Sequence, residues 1–193
     1  MKRPILAASV AALAFGAALP AEAQNWMVRG RAIGVLPDAS SSLSGLDVDD
    51  AYTVELDLTY FFTKNIAVEA IAATTRHEIK LNGTSLGKIS ALPPTVTLQY
   101  HFTDLGAWKP YVGAGINYTW FYDVGLSSPL DISRDSWGGA LQGGVDYAID
   151  KNWVVNVDVK YIWMSTDVSA AGSQLTKLDI NPWVVGLGVG YRF

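Results

Sequence analysis

Apolar and polar side chains alternate without interruption along the segment YTVELDLTYFF, residues 52–62. Val54 and Leu56 lie on one parity, and Glu55 and Asp57 lie on the other. A period of two is typical of a β-strand with one apolar and one polar face. In a soluble sandwich the carboxylates would face outward, whereas in a membrane barrel they would face the lumen.

Eight segments share this alternation, and the connections between them alternate in length. The segments cover residues 25–36, 51–62, 65–77, 91–103, 110–122, 136–149, 152–165 and 178–193. The short connections are TKN, DLGAWK and DK, and the long ones are PDASSSLSGLDVDD, EIKLNGTSLGKIS, DVGLSSPLDISRD and DVSAAGSQLTK. We therefore predict an all-β fold, an eight-stranded antiparallel transmembrane up-and-down β-barrel with short periplasmic turns and longer extracellular loops.

Aromatic residues on the apolar parity gather near the two ends of the segments. The predicted periplasmic ends hold Trp26, Tyr60, Phe62, Tyr100, Phe102, Tyr147, Trp153, Tyr191 and Phe193, and the opposite ends hold Tyr52, Trp120, Tyr122, Trp137, Trp163 and Trp183. Two aromatic belts with aliphatic residues between them are the pattern of a lipid-facing barrel surface. Strands favour aromatic residues in general, but this preference does not explain clustering by height.

The first 23 residues have the features of a cleavable signal peptide. Lys2 and Arg3 precede a short apolar stretch over residues 5–19, and Ala21 and Ala23 give the small-x-small cleavage pattern. The stretch is shorter than the ~20 residues of a spanning helix. We expect residues 1–23 to be removed and residues 24–193 to form the barrel in the outer membrane of a Gram-negative bacterium.

Composition narrows the functional classes. Half of the residues are apolar, yet no later stretch has the length of a membrane helix, so a helical membrane protein is excluded. The chain has no cysteine, which excludes disulfides and a lipid-attachment cysteine. The net charge is −4 and no basic cluster occurs, which argues against nucleic acid as a partner.

Charged and polar residues occupy the inward parity in the lower and middle barrel. They are Arg29, Arg31, Glu55, Asp57, Glu69, Gln99, His101, Asn117, Gln142, Asp146, Asn156, Asp158, Lys160 and Arg192. An eight-stranded barrel leaves room only for side chains, and charges this close must pair. We predict an ion-paired floor and not a wide aqueous pore.

Apolar residues occupy the inward parity near the extracellular end. They are Ile33, Val35, Ala73, Phe121, Ala140, Ile162, Met164, Ile180 and Val184. Because small-molecule pockets are mostly apolar with a few polar anchors, we hypothesise a hydrophobic funnel, open to the exterior, that binds small apolar solutes. The alternative is that these residues only pack against each other or against an infolded loop.

Prolines mark two places where the barrel wall could open sideways. Pro93 and Pro94 lie near the top of the fourth strand, and Pro182 lies in the upper part of the eighth. Because proline cannot donate to a strand ladder, these are possible lateral exits for an apolar solute. Alternatively, both places lie above the membrane.

Several stretches resemble the OmpW family of outer-membrane proteins. They are NWMVRGRAIGVLPD, NIAVEAIAAT, LPPTVTLQYHF, KPYVGAGINYTWF, SWGGALQGGVDYAI and INPWVVGLGVGYRF, in the family's order. The resemblance implies a monomeric barrel, embedded among outer-membrane lipid and lipopolysaccharide, that passes small hydrophobic molecules. In some members it also implies a binding site for colicin or phage. The last residues, with Tyr191 and Phe193 on the lipid-facing parity, resemble the signal read by the outer-membrane assembly machinery.

Other functions find less support in the sequence. An enzyme acting on lipid A would need a nucleophile and a base within reach of each other near the outer leaflet, but His101 points into the lumen near the periplasmic end, and His77, next to Glu78, has no serine at a telling spacing. The two histidines also lie at different levels, which argues against a metal site. We therefore expect no catalytic residue, no metal site and no cofactor. The main alternative function is a non-transporting barrel that stabilises the membrane or serves adhesion and phage docking through its loops.

Overall fold

The computed structural model describes residues 25–193, so the predicted signal peptide lies outside the described residues. The chain forms a succession of β-strands: β1 (Trp26–Leu36), β2 (Ser40–Ser41), β3 (Leu46–Val48), β4 (Ala51–Phe61), β5 (Ile66–Ala73), β6 (Thr75–Leu81), β7 (Thr84–Leu92), β8 (Thr95–His101), β9 (Trp108–Leu126), β10 (Leu130–Ile132), β11 (Asp135–Ala148), β12 (Trp153–Ile162), β13 (Ser165–Ala170), β14 (Ser173–Asp179) and β15 (Trp183–Arg192). Within residues 25–193, no helix is long and apolar enough to cross a membrane.

Eight of these strands close into an antiparallel barrel, which confirms the predicted fold class. The order around the barrel is β1, β4, β5, β8, β9, β11, β12 and β15, and β15 pairs with β1 to close it. At the closure, the Trp26 amide donates to the Phe193 carbonyl (3.1 Å) and the Phe193 amide donates to the Trp26 carbonyl (2.8 Å). Closure leaves no open sheet edge in the apolar layer, as a membrane-spanning sheet requires.

The barrel is apolar outside and polar inside. Val54 and Leu56 are 65% and 55% exposed, whereas Glu55 and Asp57 are each 3% exposed. The alternation in residues 52–62 therefore places the carboxylates in the lumen and the aliphatic side chains toward lipid. The predicted belts have ring contacts on the outer face, such as Trp26–Tyr60 at 4.7 Å between ring centroids.

The long connections contain strands that the sequence analysis treated as loops. β6 and β7 form a hairpin above β5 and β8, and β13 and β14 form a hairpin in a second small sheet with β10 and β2. The predicted segment 65–77 is thus divided between β5 and β6, and segment 91–103 between β7 and β8. Asn82 and Gly83 both have positive φ at the β6–β7 turn, which is the Asn-Gly hairpin signal that the sequence contained.

Candidate functional site: the barrel lumen

Two arginines on β1 form the centre of the lumen network. Arg29 and Arg31 are two residues apart, so both point inward, and each is 1% exposed. Arg29 Nε lies 3.1 Å from Asp57, its Nη1 lies 3.0 Å from Asp146, and its Nη2 lies 2.6 Å from Glu69. The guanidinium group thus binds carboxylates from three different strands and ties β4, β5 and β11 to β1.

Arg31 repeats this arrangement one level higher in the barrel. Its guanidinium lies 2.5 Å from Glu55, 2.9 Å from Asp57 and 2.8 Å from Glu69. Asp57 and Glu69 therefore each bridge the two arginines. Such multiple, charge-assisted contacts are the arrangement that lets buried charges persist in a low dielectric.

Lys160 on β12 forms the upper boundary of the network. Its Nζ lies 2.8 Å from Glu55 and 2.5 Å from Asp158. Tyr111 Oη donates to Asp158 (2.7 Å) from β9, and Gln142 Nε2 donates to the same carboxylate (2.9 Å). The sequence analysis missed Tyr111, although its odd parity, shared with Asn117 and Phe121, placed it inward.

Glycines make room for the large lumen side chains. At Gly188 a Cβ atom would lie 2.8 Å from Arg31 Cγ and 2.1 Å from the Gly30 carbonyl oxygen. At Gly144 it would lie 2.5 Å from the Tyr111 ring. The Gly-rich stretches near the C-terminus and in β11 therefore serve close packing of strands and lumen side chains.

The network fills the lower lumen. Within residues 25–193, every buried side-chain nitrogen or oxygen has a hydrogen-bond partner. His101 stacks on Tyr111 with 4.9 Å between ring centroids, and Arg192 lies 4.1 Å from the Phe61 ring at the periplasmic end. In the described part of the chain, no three His, Asp or Glu side chains have the geometry of a metal site. The predicted charged residues other than Arg192 thus come together as one ion-paired floor, and Arg192 packs on Phe61 below it.

A small apolar cavity lies directly above this floor. It is lined by predicted upper-lumen residues, namely Ile33, Val35, Ala73, Phe121, Ile162, Met164, Ile180 and Val184, while Ala140 is buried in the same apolar cluster. Glu55 and Lys160 close it from below. The cavity volume is about 40 Å³, and since one water needs ~10–15 Å³ by this measure, it holds only a few water-sized groups.

The upper lumen is not the open funnel that the sequence analysis expected. Val48, His77 and Ile89, which belong to the extracellular extensions of the wall, also line the cavity. Val48 and Ile89 are 4% and 1% exposed. Because their segments were predicted to be polar loops, the sequence analysis missed these residues, although Ile79 in the same hairpin continues the inward parity of β5.

The prolines occupy different environments in the wall. Pro93 and Pro94 lie between β7 and β8, opposite residues 72–74, where the ladder of the third and fourth strands is interrupted. Pro182 instead accepts a hydrogen bond from the Ile162 amide (3.1 Å), so the ladder continues beside it. Pro93 and Pro182 both line the cavity, and both lie between two ladders of the wall. At Pro182 the gap is bridged by backbone hydrogen bonds, since the Ile180 amide also donates to the Met164 carbonyl (2.9 Å).

His77 joins β6 to the segment that precedes β4. Its Nδ1 donates to the Asp49 carbonyl oxygen (2.8 Å), since a carbonyl can only accept, and its Nε2 accepts from the Thr75 hydroxyl (2.9 Å). The side chain is almost fully buried, which lowers the pKa of the imidazole from its usual value, while Asp49 and Asp50 partly oppose the shift. His77 is therefore a neutral structural link in the extracellular extension.

The comparisons with known proteins decide the family. The OmpW family model matches residues 22–193. The chain belongs to the OmpW family. It is 47% identical to the uncharacterized outer-membrane protein y4mB of Sinorhizobium fredii, over 87% of this chain and 80% of that one. It is 37% identical to outer membrane protein W of Escherichia coli K12, over 100% and 99% of the two chains.

A solved OmpW-like barrel has the same architecture. The crystal structure of the outer membrane protein OprG from Pseudomonas aeruginosa matches with a TM-score of 0.77 and 33% identity, covering 88% of this chain and 95% of that chain. Membership of the OmpW family, together with the closed inside-out barrel, places the protein in the outer membrane. The predicted location is therefore confirmed, and the residues that bind a solute remain a prediction.

Proposed function

We propose that this OmpW-family barrel mediates passive uptake of small hydrophobic molecules through its upper lumen. The observation that carries the proposal is an apolar cavity with a charged floor, enclosed by residues such as Ile33, Phe121, Ile162 and Val184. A barrel that only stabilised the membrane would not need an apolar chamber inside a polar lumen. The solute would leave bulk water for the chamber because apolar surface is buried there.

The floor determines where such a solute can go. Glu55 and Lys160, at the base of the cavity, are paired at 2.8 Å, and Arg29 and Arg31 lie below them in contact with three carboxylates each. An apolar molecule cannot replace these charge-assisted hydrogen bonds. Movement toward the periplasm along the axis is therefore disfavoured relative to exit through the wall.

Entry requires the extracellular extension to move. In the conformation described, the cavity accommodates only a few water-sized groups, and Val48, His77 and Ile89 line its upper part. The β6–β7 hairpin extends beyond β5 and β8 and has the interrupted ladder at its base. Displacement of this hairpin would break its pairing with β9 and β3 and enlarge the cavity, while the barrel ladder below Ile71 and Thr95 stays intact.

Lateral release into the bilayer is proposed at Pro93–Pro94. Pro93 lines the cavity, and the ladder opposite it is interrupted. The corresponding proposal for Pro182 has less support because its carbonyl maintains the ladder with Ile162. The wall thus offers one weak position beside the cavity on the β5–β8 side.

A cavity-filling variant tests transport. Ile162→Phe combined with Val184→Phe adds volume inside, and the matched control Val159→Phe combined with Val185→Phe adds similar volume on the lipid face of the same two strands. We expect the inner variant to reduce uptake of a small apolar solute into cells by about tenfold or more, whereas the outer variant leaves uptake unchanged. Equal uptake by wild type and both folded variants would favour the non-transporting adhesion or docking barrel.

The exit route has its own test. Pro93→Val with Pro94→Val restores two backbone donors at the break, whereas Pro182→Val adds a donor where the ladder already continues. We expect slower uptake only in the first variant. Unchanged uptake in both, with loss of uptake in the cavity-filling variant, would reject lateral release and retain transport.

We also propose that the barrel has no enzymatic activity. His77 is held by Asp49 and Thr75 in the extracellular extension, and His101 lies in the floor against Tyr111. Neither is placed beside a serine as a catalytic base. The test is incubation of the purified protein with lipopolysaccharide; released fatty acid would contradict the proposal.

A further inference from the structure

The seam between β4 and β6 has an open strand edge. The β4–β5 ladder ends at the pair Glu55–Ala73; β6 pairs with β7 on one side, and on the side that faces β4 its residues 79–81 pair with β3 above the seam. On the β1 side, β4 remains paired up to Ala51. In the described register, residues 51–54 therefore have no ladder partner on the side that faces β6.

A pocket of about 520 Å³ lies on the outer side of this open edge. We call it the seam pocket, and its lining consists of Asp50, Ala51, Tyr52, Thr53, Thr74, Thr75, Arg76, Ser90 and Tyr122. Six of these side chains carry a hydroxyl; those of Thr74 and Tyr122 hydrogen-bond to each other, and that of Thr75 donates to His77. The next outward positions of β4 below it are the aliphatic Val54, Leu56 and Leu58, so this polar patch departs from the surface beneath it.

The height of the seam pocket is that of the extracellular aromatic belt. Tyr122 contacts Trp120 with 5.8 Å between ring centroids, and Tyr52 is 80% exposed beside the pocket. Belt aromatics sit at the headgroup level of the membrane. The unpaired stretch of β4 and the pocket hydroxyls therefore meet the headgroup layer of the outer leaflet, where a polar group that both donates and accepts hydrogen bonds suits them.

The charges of the pocket distinguish a sugar from a phosphate. Arg76 is its single cation, and its Nη1 already pairs with Asp123 at 3.1 Å. Asp50 adds a negative charge to the lining. A phosphate would therefore meet a site without free positive charge, whereas a neutral pyranose could stack on tyrosine and use the hydroxyls and the open backbone groups.

We propose that the seam pocket binds the saccharide headgroup of an outer-leaflet glycolipid. The ring lies between Tyr52 and Tyr122, and its hydroxyl groups hydrogen-bond to the unpaired edge of residues 51–54. The acyl chains continue down the aliphatic outer face of β4. This site is outside the lumen and does not depend on the proposed transport.

Lipid retention during native mass spectrometry tests the site. The probes are lipid A, dephosphorylated lipid A and phosphatidylglycerol, each added to purified, folded protein. We expect wild type to retain both forms of lipid A alike and about tenfold more than phosphatidylglycerol. Tyr52→Ala with Tyr122→Ala should reduce retention of both to the phosphatidylglycerol level.

The matched control removes two belt aromatics where the ladder is continuous. Tyr118→Ala with Trp137→Ala removes a ring pair at 4.8 Å on a paired part of the wall, and we expect wild-type retention. Equal loss of lipid A retention in both double variants would overturn the proposal. So would loss of binding when lipid A is dephosphorylated, or equal retention of lipid A and phosphatidylglycerol by wild type. Displacement of lipid A by an equal concentration of soluble diglucosamine would also overturn it.

Amide hydrogen exchange gives a second measurement on wild type, which does not depend on a variant folding. In bilayers containing dephosphorylated lipid A, exchange at residues 51–54 should slow by about tenfold relative to bilayers of phosphatidylglycerol. Amides of the paired Glu55–Phe61 part of β4 should not change. Unchanged exchange at residues 51–54 would contradict occupation of the seam pocket.

Discussion

Lys160 Nζ lies 2.8 Å from the Glu55 carboxylate, and both side chains line the base of the apolar cavity. This pair is the boundary between the two parts of the lumen. Above it the inward residues are mainly aliphatic or aromatic, with the polar Thr75, His77 and Thr95 among them; below it they belong to a network centred on Arg29 and Arg31. The change from a charged to an apolar lumen requires no change of fold, because the inward positions along the strands are charged in the lower barrel and mainly apolar in the upper barrel.

Removing the cation of this boundary should destabilise the barrel strongly. Lys160→Met leaves Glu55 and Asp158 buried without their common partner, and breaking a buried pair in this way costs about 3–5 kcal/mol. We expect a lower urea midpoint for unfolding in detergent. The additional change Glu55→Met should recover part of the loss.

A surface lysine provides the matched comparison for Lys160. Lys177 pairs with Asp179 at 3.6 Å, with both side chains largely exposed. Lys177→Met should change the free energy of unfolding by only about 0–1 kcal/mol. Similar midpoints for the Lys160 and Lys177 variants would show that the lumen network contributes little.

Close packing at Gly188 should make this position intolerant of any side chain. A Cβ there would lie 2.1 Å from the Gly30 carbonyl oxygen, so Gly188→Ala forces β1 and β15 apart beside Arg31. Overpacking costs about 1–3 kcal/mol, occasionally more. The folded fraction, measured by heat-modifiable gel mobility, should fall, whereas Gly143→Ala, whose nearest atom is 3.9 Å away, should fold normally.

Stability of the extracellular extension should decrease at acidic pH because of His77. Burial lowers the pKa of His77 from its usual value of 6.5, so below pH 6.5 the unfolded state binds more protons than the folded state. Stability is therefore full above pH 6.5 and decreases as pH falls toward the folded pKa. Protection factors of the β6 amides, which correct for the intrinsic slowing of exchange at lower pH, should therefore fall between pH 7.5 and about 5.5.

His77→Gln supplies the control for this pH dependence. Glutamine retains hydrogen bonding toward Asp49 and Thr75 but does not titrate in this range. Protection factors in β6 of the variant should therefore be less dependent on pH than those of wild type. An equal pH dependence in both proteins would assign the effect to other groups.

The C-terminal aromatic should matter for assembly more than for stability. Phe193 closes the barrel through its backbone, which pairs with Trp26, and its side chain is 36% exposed. Phe193→Ala should reduce the amount of folded barrel in cells, while the free energy of unfolding in detergent changes by no more than about 0.5 kcal/mol. Phe62→Ala, at the same belt, should leave both quantities near wild type; a matching defect in cells would reject the assembly signal.

Much of the fold follows from the sequence because the period of two is a local property. The parity of Glu55 and Asp57, the eight alternating segments and the two aromatic belts determine a closed inside-out barrel, since only closure satisfies the backbone of strands within a bilayer. The same parity identified the charged floor and the apolar residues above it. It also marked Tyr111 as inward, although that signal was missed.

Other features depended on tertiary structure because they arise from register between distant segments. Parity shows that Arg29 and Glu69 face inward, but only the stagger of the strands brings them within 2.6 Å. The long connections extend the sheet, because Val48 and Ile89 are buried together in one apolar cluster above the barrel. The open edge beside Tyr52 likewise exists only because β5 ends at Ala73 while β4 continues. Local pattern thus determined which face each side chain occupies, and long-range strand pairing decided which side chains meet.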